Sequence, residues 1–171
     1  MSMSEMFRRL GNVVMRGRVA AVASGSKMQR LQIRLLDGET KDGVEHFEPF
    51  GFTSCAQPGA EHLTVFLDGD RSHGITILVG DRRYRLTGLL AGEAALHNQF
   101  GDKIVMHADR TIEVVAAVAV HITTPLVSMT GDLTVQGTIT GVVDVIGGGK
   151  HLKTHTHGGV MAGGGSTGQP N

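Results

Sequence analysis

Apolar and polar positions follow three rhythms along this chain. Over residues 5–15 the spacing puts Met6, Leu10, Val13 and Val14 on one helical face and predicts a short amphipathic helix. Gly11 weakens it by roughly 1 kcal/mol relative to Ala. From residue 16 to 85 the text turns to short strands. One is Arg18–Val22. Another is Gln29–Leu35, where strict alternation points Leu31, Ile33 and Leu35 inward. Leu63–Leu67 and Gly74–Val79 are two more, joined by Asp68-Gly69-Asp70. Asp37-Gly38 and Asp42-Gly43 read as turns. Pro49 and Gly51 make 47–52 an irregular or edge segment. About five or six short strands in so little chain is the size of a small barrel such as an OB-fold.

Residues 86–102 read as a connector holding a strand that ends in a turn. Beyond it, over 103–146, a period of two persists. Ile112, Val114, Ala116, Val118, Val120 and Ile122 alternate with Glu113, Val115, Ala117, Ala119, His121 and Thr123. Leu133, Val135 and Ile139 follow among Thr, Gln and Gly. Such side chains are too small to fill a second core of the usual kind. One copy of this segment would leave a long apolar face and free strand edges in water. Two readings remain open on pattern alone: an ordinary β-meander or sandwich, and a prism in which three chains intertwine with their apolar residues inside.

Composition sharpens the second reading. Glycine is 25 of 171 residues, aromatics are 4% and there is no Trp. Narrow repetitive packing suits that mixture better than a large core does. Sixteen basic and sixteen acidic residues balance, so the chain carries no electrostatic footprint for nucleic acid. No apolar run approaches the roughly 18 residues of a membrane span. The first ten residues lack the apolar stretch of a signal peptide. A lone Cys55 excludes an intrachain disulfide and points to synthesis in a reducing cytosol.

Catalytic signals are weak. Neither Ser24-Gly25-Ser26 nor Gly51-Phe52-Thr53-Ser54-Cys55 forms a nucleophile elbow. Asp68-Gly69-Asp70 lacks the other ligands of a calcium loop. Gly147-Gly148-Gly149 lacks the Lys-Ser/Thr of a phosphate loop. The reading is that of a non-enzyme. Six histidines (His46, His62, His73, His97, His107 and His121) have no partner at ligand or triad spacing and read as structural or surface residues. His151 stands four residues before His155, ligand spacing on a helix, but the flanking glycines argue against a helix there.

The pair His155-Thr156-His157 is different. In an extended strand both rings point to one side, and imidazole is a common metal ligand. Taken alone, the doublet is equally a solvated glycine-rich tail over 147–171 or a tag remnant. Two ligands are too few for a tight site. Three copies meeting on an axis would turn two into six, suiting an octahedral ion such as Fe²⁺, Co²⁺ or Ni²⁺ better than tetrahedral Zn²⁺.

The order of these features carries a resemblance. A basic N-terminal helix, a small barrel with Gly74-Ile75-Thr76-Ile77-Leu78-Val79-Gly80, an alternating small-residue segment and Thr154-His155-Thr156-His157-Gly158-Gly159-Val160 before a Gly-rich end resemble the central tail spikes, or baseplate assembly proteins V, of contractile-tailed phages, the Mu and P2 spikes among them. The resemblance covers nearly the whole chain, and the His-x-His tip is its most specific element. It implies an all-β homotrimer: an OB-fold collar, then a triple-stranded intertwined β-helix ending in a pointed apex. There His155 and His157 of three chains would hold one iron ion. Family members also hold calcium and chloride on the axis, for which no motif is recognisable here. The implied partners are tail hub and baseplate proteins, through the barrel, and the host outer membrane, through the apex. The implied place is the tip of the virion's tail baseplate, after synthesis in the host cytoplasm. The implied action is mechanical puncturing during tail contraction. A trimeric OB adaptor that docks a separate tip protein is the competing reading, and a metal enzyme using the His pair with an open coordination site is a third.

Overall fold

The computed structural model describes residues 13–159, with the isolated positions Met3 and Gly163. The chain divides into two units, one up to His121 and one from Ile122. The helix expected over 5–15 lies outside the described residues except at its end. There Val14 and Met15 open a strand instead.

Five strands, β1 (Val14–Ala23), β2 (Gln29–Arg34), β3 (Thr40–His46), β4 (Glu61–Phe66) and β5 (Gly74–Gly80), close a barrel in the order β1-β2-β3-β5-β4. All pairings are antiparallel except β3 with β5, which run parallel because the chain crosses over between His46 and Glu61 before β4 returns to β1. Alternation decides the interior, as expected: Leu31 and Ile33 are fully buried and Leu35 nearly so, packed with Val19, Val44, Ala60 and Phe66. With only one large aromatic inside, polar side chains complete the filling. Thr64 and Thr76 bond each other through their hydroxyls at 2.8 Å, and His62 Nδ1 lies 2.8 Å from the Thr64 hydroxyl. His46 and Gln29 form a second buried pair at 3.2 Å. A buried polar group has to find a partner to be tolerated, and the Nδ1 atoms of both rings have one. His62 Nε2 has none of hydrogen-bond geometry. Burial pushes this imidazole below its ordinary range, and the Arg34 carbonyl opposes that only in part.

Gly17 of β1 is fixed by the same contact. A Cβ there would come within 2.0 Å of the Arg34 carbonyl oxygen and 2.5 Å of His62 Nε2. The expected turn at Asp42-Gly43 is instead a bulge inside β3. Leu31 faces Val44 while Ile33 faces Lys41, so the extra residue is absorbed in the strand and not in a loop. The other expected turns hold: Leu36–Gly38 and Leu67–Gly69 are single 3-10 turns.

The expected connector supplies β6 (Ala94–His97), which pairs with β7 (Lys103–Met106) and then β8 (Ile112–Val115) in a three-stranded sheet. Asn98 accepts the backbone N–H groups of Phe100 and Asp102 to shape the first turn. Asp109 does the same for Thr111 in the second. Glu93, just before β6, accepts N–H groups from Leu90 and Ala108, which hold its carboxyl below the usual range. His107 sits between Glu93 and Glu113.

Past Val115 the alternation continues but the ladder does not. No strand is present over 116–145, and Val118, Ile122, Leu126, Leu133, Ile139 and Val142 are exposed, Val118 at 98%. A strand needs a neighbouring backbone, and one chain brings none to this stretch. Among the described residues, pairing resumes only in a hairpin of two-residue strands, β9 (Ile146–Gly147) with β10 (Lys150–His151).

Candidate functional site

The hairpin β9–β10 organises the segment that carries the His-x-His pair. Gly148 and Gly149 both adopt positive φ, 54° and 78°, the combination a tight two-residue turn between strands requires. Asp144 is drawn under the hairpin. Its carboxylate accepts the Nδ1–H of His151 at 2.6 Å and the backbone N–H groups of Val145 at 2.8 Å and Lys153 at 3.2 Å. The first of these bonds, followed by that from Lys153, keeps the Asp144 carboxyl below its ordinary range. The Leu152 N–H adds a further rung, to the Val145 carbonyl at 2.8 Å.

After His151 the chain makes one turn. The His151 carbonyl accepts the N–H of His155 at 2.9 Å and that of Thr154 at 3.3 Å. The glycines had argued against a helix here, and a single closed turn is what forms. Residues 154–157 form no strand either. The rings of His155 and His157 are nevertheless neighbours, edge to face, with centroids 5.0 Å apart. Two imidazoles binding one ion side by side, at about 2.1 Å each, would place their centroids roughly 4.5 Å apart, so the spacing fits a shared ion. The donor chemistry fits too. His155 Nδ1 lies 2.9 Å from the Leu152 carbonyl. A carbonyl only accepts, so Nδ1 carries the proton and Nε2 keeps its lone pair for a ligand. Among the described residues of one chain, no three His, Cys, Asp or Glu side chains gather as a metal set. The pair is half of a site at most.

A second feature is a groove of about 960 Å³ on the barrel, lined among others by Arg16, Glu61, Arg82, Tyr84, Arg85 and Phe100. The groove's two carboxylates are both committed: Arg82 first and Arg16 next hold Glu61 below the usual range, and Arg83 does the same for Asp81. A carboxylate so committed accepts a proton poorly at neutral pH. Cys55, also on the groove wall, is exposed.

Residues 16–83, from early in β1 to just past β5, match the family model described as bacteriophage Mu Gp45, N-terminal. Residues 151–171 match the GpV apex motif. The baseplate puncturing device gp45 of Escherichia phage Mu is 35% identical over 141 residues, 78% of this chain and 72% of the relative. The Mu-like prophage FluMu protein gp45 of Haemophilus influenzae is 30% identical over 163 residues, 88% of each chain. The chain belongs to the phage Mu gp45 family. The family resemblance stated from the sequence is thereby borne out, as is its all-β architecture with a closed five-stranded barrel. His151, His155 and His157 all fall within the apex match.

One residue of this arrangement escaped the sequence reading, Asp144, and His151 was set aside there for want of a helix. The signal was present: Asp-Val-Ile-Gly-Gly-Gly-Lys-His is a glycine turn with a short run on either side. It was outweighed by the high glycine content, which reads as a loose tail.

Proposed function

We propose that this chain is the central spike of a contractile-tail baseplate and that it punctures the host outer membrane mechanically, without bond chemistry. The Mu relative carries the name of such a device. The observation that carries the reading is the stretch over 116–145, which forms no strand in a single chain, leaves Val118, Ile122, Leu126, Leu133, Ile139 and Val142 exposed, and is followed by the apex match. Three chains wrapped about one axis would bury that face and close every edge, giving a stiff β-helix over about 103–146. Six imidazoles, His155 and His157 of each chain, would then surround one ion, most favourably iron in octahedral coordination. Such an ion, when bound, supplies a cross-link that keeps three glycine-rich ends from fraying. The chain's own residues do the rest. The Leu152 carbonyl fixes the proton on His155, and the closed turn after His151 presents both rings on one side. The barrel, with the residues before it, serves as the collar that attaches to hub and baseplate proteins. No helix among the described residues is long and apolar enough to cross a membrane.

The test is native mass and metal analysis of the purified chain beside His157→Ala. One iron per trimer is expected in the wild type. The variant should contain none and gain protease sensitivity over its last 25 residues, while remaining trimeric. A monomeric wild type, or a metal-free trimer whose apex is cleaved as readily as the variant's, would overturn the reading.

A further inference from the structure

We propose that Asp144 is the positioning residue of the apex, setting through one peptide plane which nitrogen of His155 is free to bind a metal. The inference deepens the metal-apex reading and rests on it for its purpose, but not for its geometry.

The geometry begins with the peptide between Leu152 and Lys153. A trans peptide is planar and rigid, with its N–H and C=O pointing in opposite directions, and no cis bond occurs among the described residues. The N–H of this unit, from Lys153, is held by Asp144 Oδ1. Its C=O, from Leu152, accepts the Nδ1–H of His155. Anchoring one edge of the plane therefore aims the other edge at the histidine. The plane is not free to rotate about that anchor. Asp144 Oδ1 also holds the Val145 N–H, and Oδ2 holds the Nδ1–H of His151, the residue that starts the turn. The Leu152 N–H is tied to the Val145 carbonyl. Asp144 thus joins both arms of the hairpin and the peptide that follows it.

In a free imidazole the proton sits on either nitrogen. A carbonyl at Nδ1 selects the Nδ1–H form and leaves Nε2 as the ligand. Asp144 touches neither ring of the pair. Its effect on them passes through the Leu152 carbonyl and the His151 backbone. A role confined to folding the hairpin would not by itself select a tautomer, and this difference makes the proposal testable.

The experiment uses the full chain, stripped of metal and labelled at its imidazole nitrogens, as wild type, Asp144→Ala and Asp144→Asn. The nitrogen shifts of His155 should show a single Nδ1–H tautomer in the wild type and a mixture of the two neutral tautomers in Asp144→Ala. Asp144→Asn keeps an acceptor for the backbone N–H groups and should fall between them. Unchanged barrel melting in the variants reports that the chain still folds. Reloading with Fe²⁺ alone should then show a loss of affinity of about 10- to 100-fold in Asp144→Ala. An Nδ1–H tautomer that persists unchanged in Asp144→Ala overturns the proposal. So does a wild type that already shows the mixture. If the wild type takes up no iron yet loses its tautomer preference in Asp144→Ala, the positioning role stands and it is the metal reading that fails.

Discussion

Val19 and Val118 are the same residue in similar alternating text, yet the first is 2% exposed and the second 98%. Val19 sits in β1, flanked by β2 and β4 of the same chain. Val118 lies three residues past the last rung of β8. The barrel contains everything its strands need, including a polar interior of Thr64, Thr76 and His62. The segment over 116–145 carries the same kind of code with no neighbour to read it. Alternation specifies which face of a strand is apolar. It does not specify whose atoms cover that face.

The sharpest way to break this comparison is to place a charge on each side of it. Val118→Asp should abolish trimers, since three carboxylates would meet in an apolar interior without partners. Its barrel should melt like the wild type's, because nothing in the barrel depends on that side chain. Sedimentation beside thermal unfolding of the barrel checks both halves. A heat-stable Val118→Asp trimer would mean that another face is buried.

Within the barrel, Ile33→Ala removes a fully buried side chain. It should cost about 2–5 kcal/mol of barrel stability. Ile122→Ala, at an exposed position of one chain, should leave the barrel untouched and weaken only assembly. Denaturant titration of each variant, followed at the barrel and by sedimentation, measures the contrast. Equal effects on the barrel would erase the distinction between the two regions.

Gly17→Ala asks how tightly the barrel closes. The new methyl meets the Arg34 carbonyl and the His62 ring, and overpacking of this kind costs about 1–3 kcal/mol. Denaturant midpoints read it directly. A neutral outcome would show that β1 can move away from β2.

The smallest expected effect is a pH slope. The folded-state pKa of His62 lies below its ordinary value because burial penalises the charged ring. The neutral ring's contribution is therefore fully present above about pH 6.5 and is lost as pH falls through the lowered folded value. Barrel melting should decline over that interval in the wild type. His62→Gln should flatten the decline. The carboxyls of Glu61 and Asp81, also lowered, add their own loss only at more acidic pH. Identical profiles for wild type and variant would place the proton uptake elsewhere.

The sequence by itself determined the barrel's inward face, because Leu31, Ile33 and Leu35 alternate over a length that local geometry alone can satisfy. It determined the break after the barrel through the change in side-chain size, and the family through the order of features ending in His155 and His157. It misread Asp42-Gly43 as a turn, since the same residues serve a bulge once β2 lies alongside. It left 147–171 readable as a loose tail, because glycine content reports freedom and not the bonds that remove it. Only the tertiary structure decided that Asp144, seven residues before His151, reaches across the hairpin to the Lys153 N–H. Periodicity records which way a side chain faces along its own element. A bond between residues brought together by a turn depends on the path of the backbone, and that path is settled only when the hairpin closes.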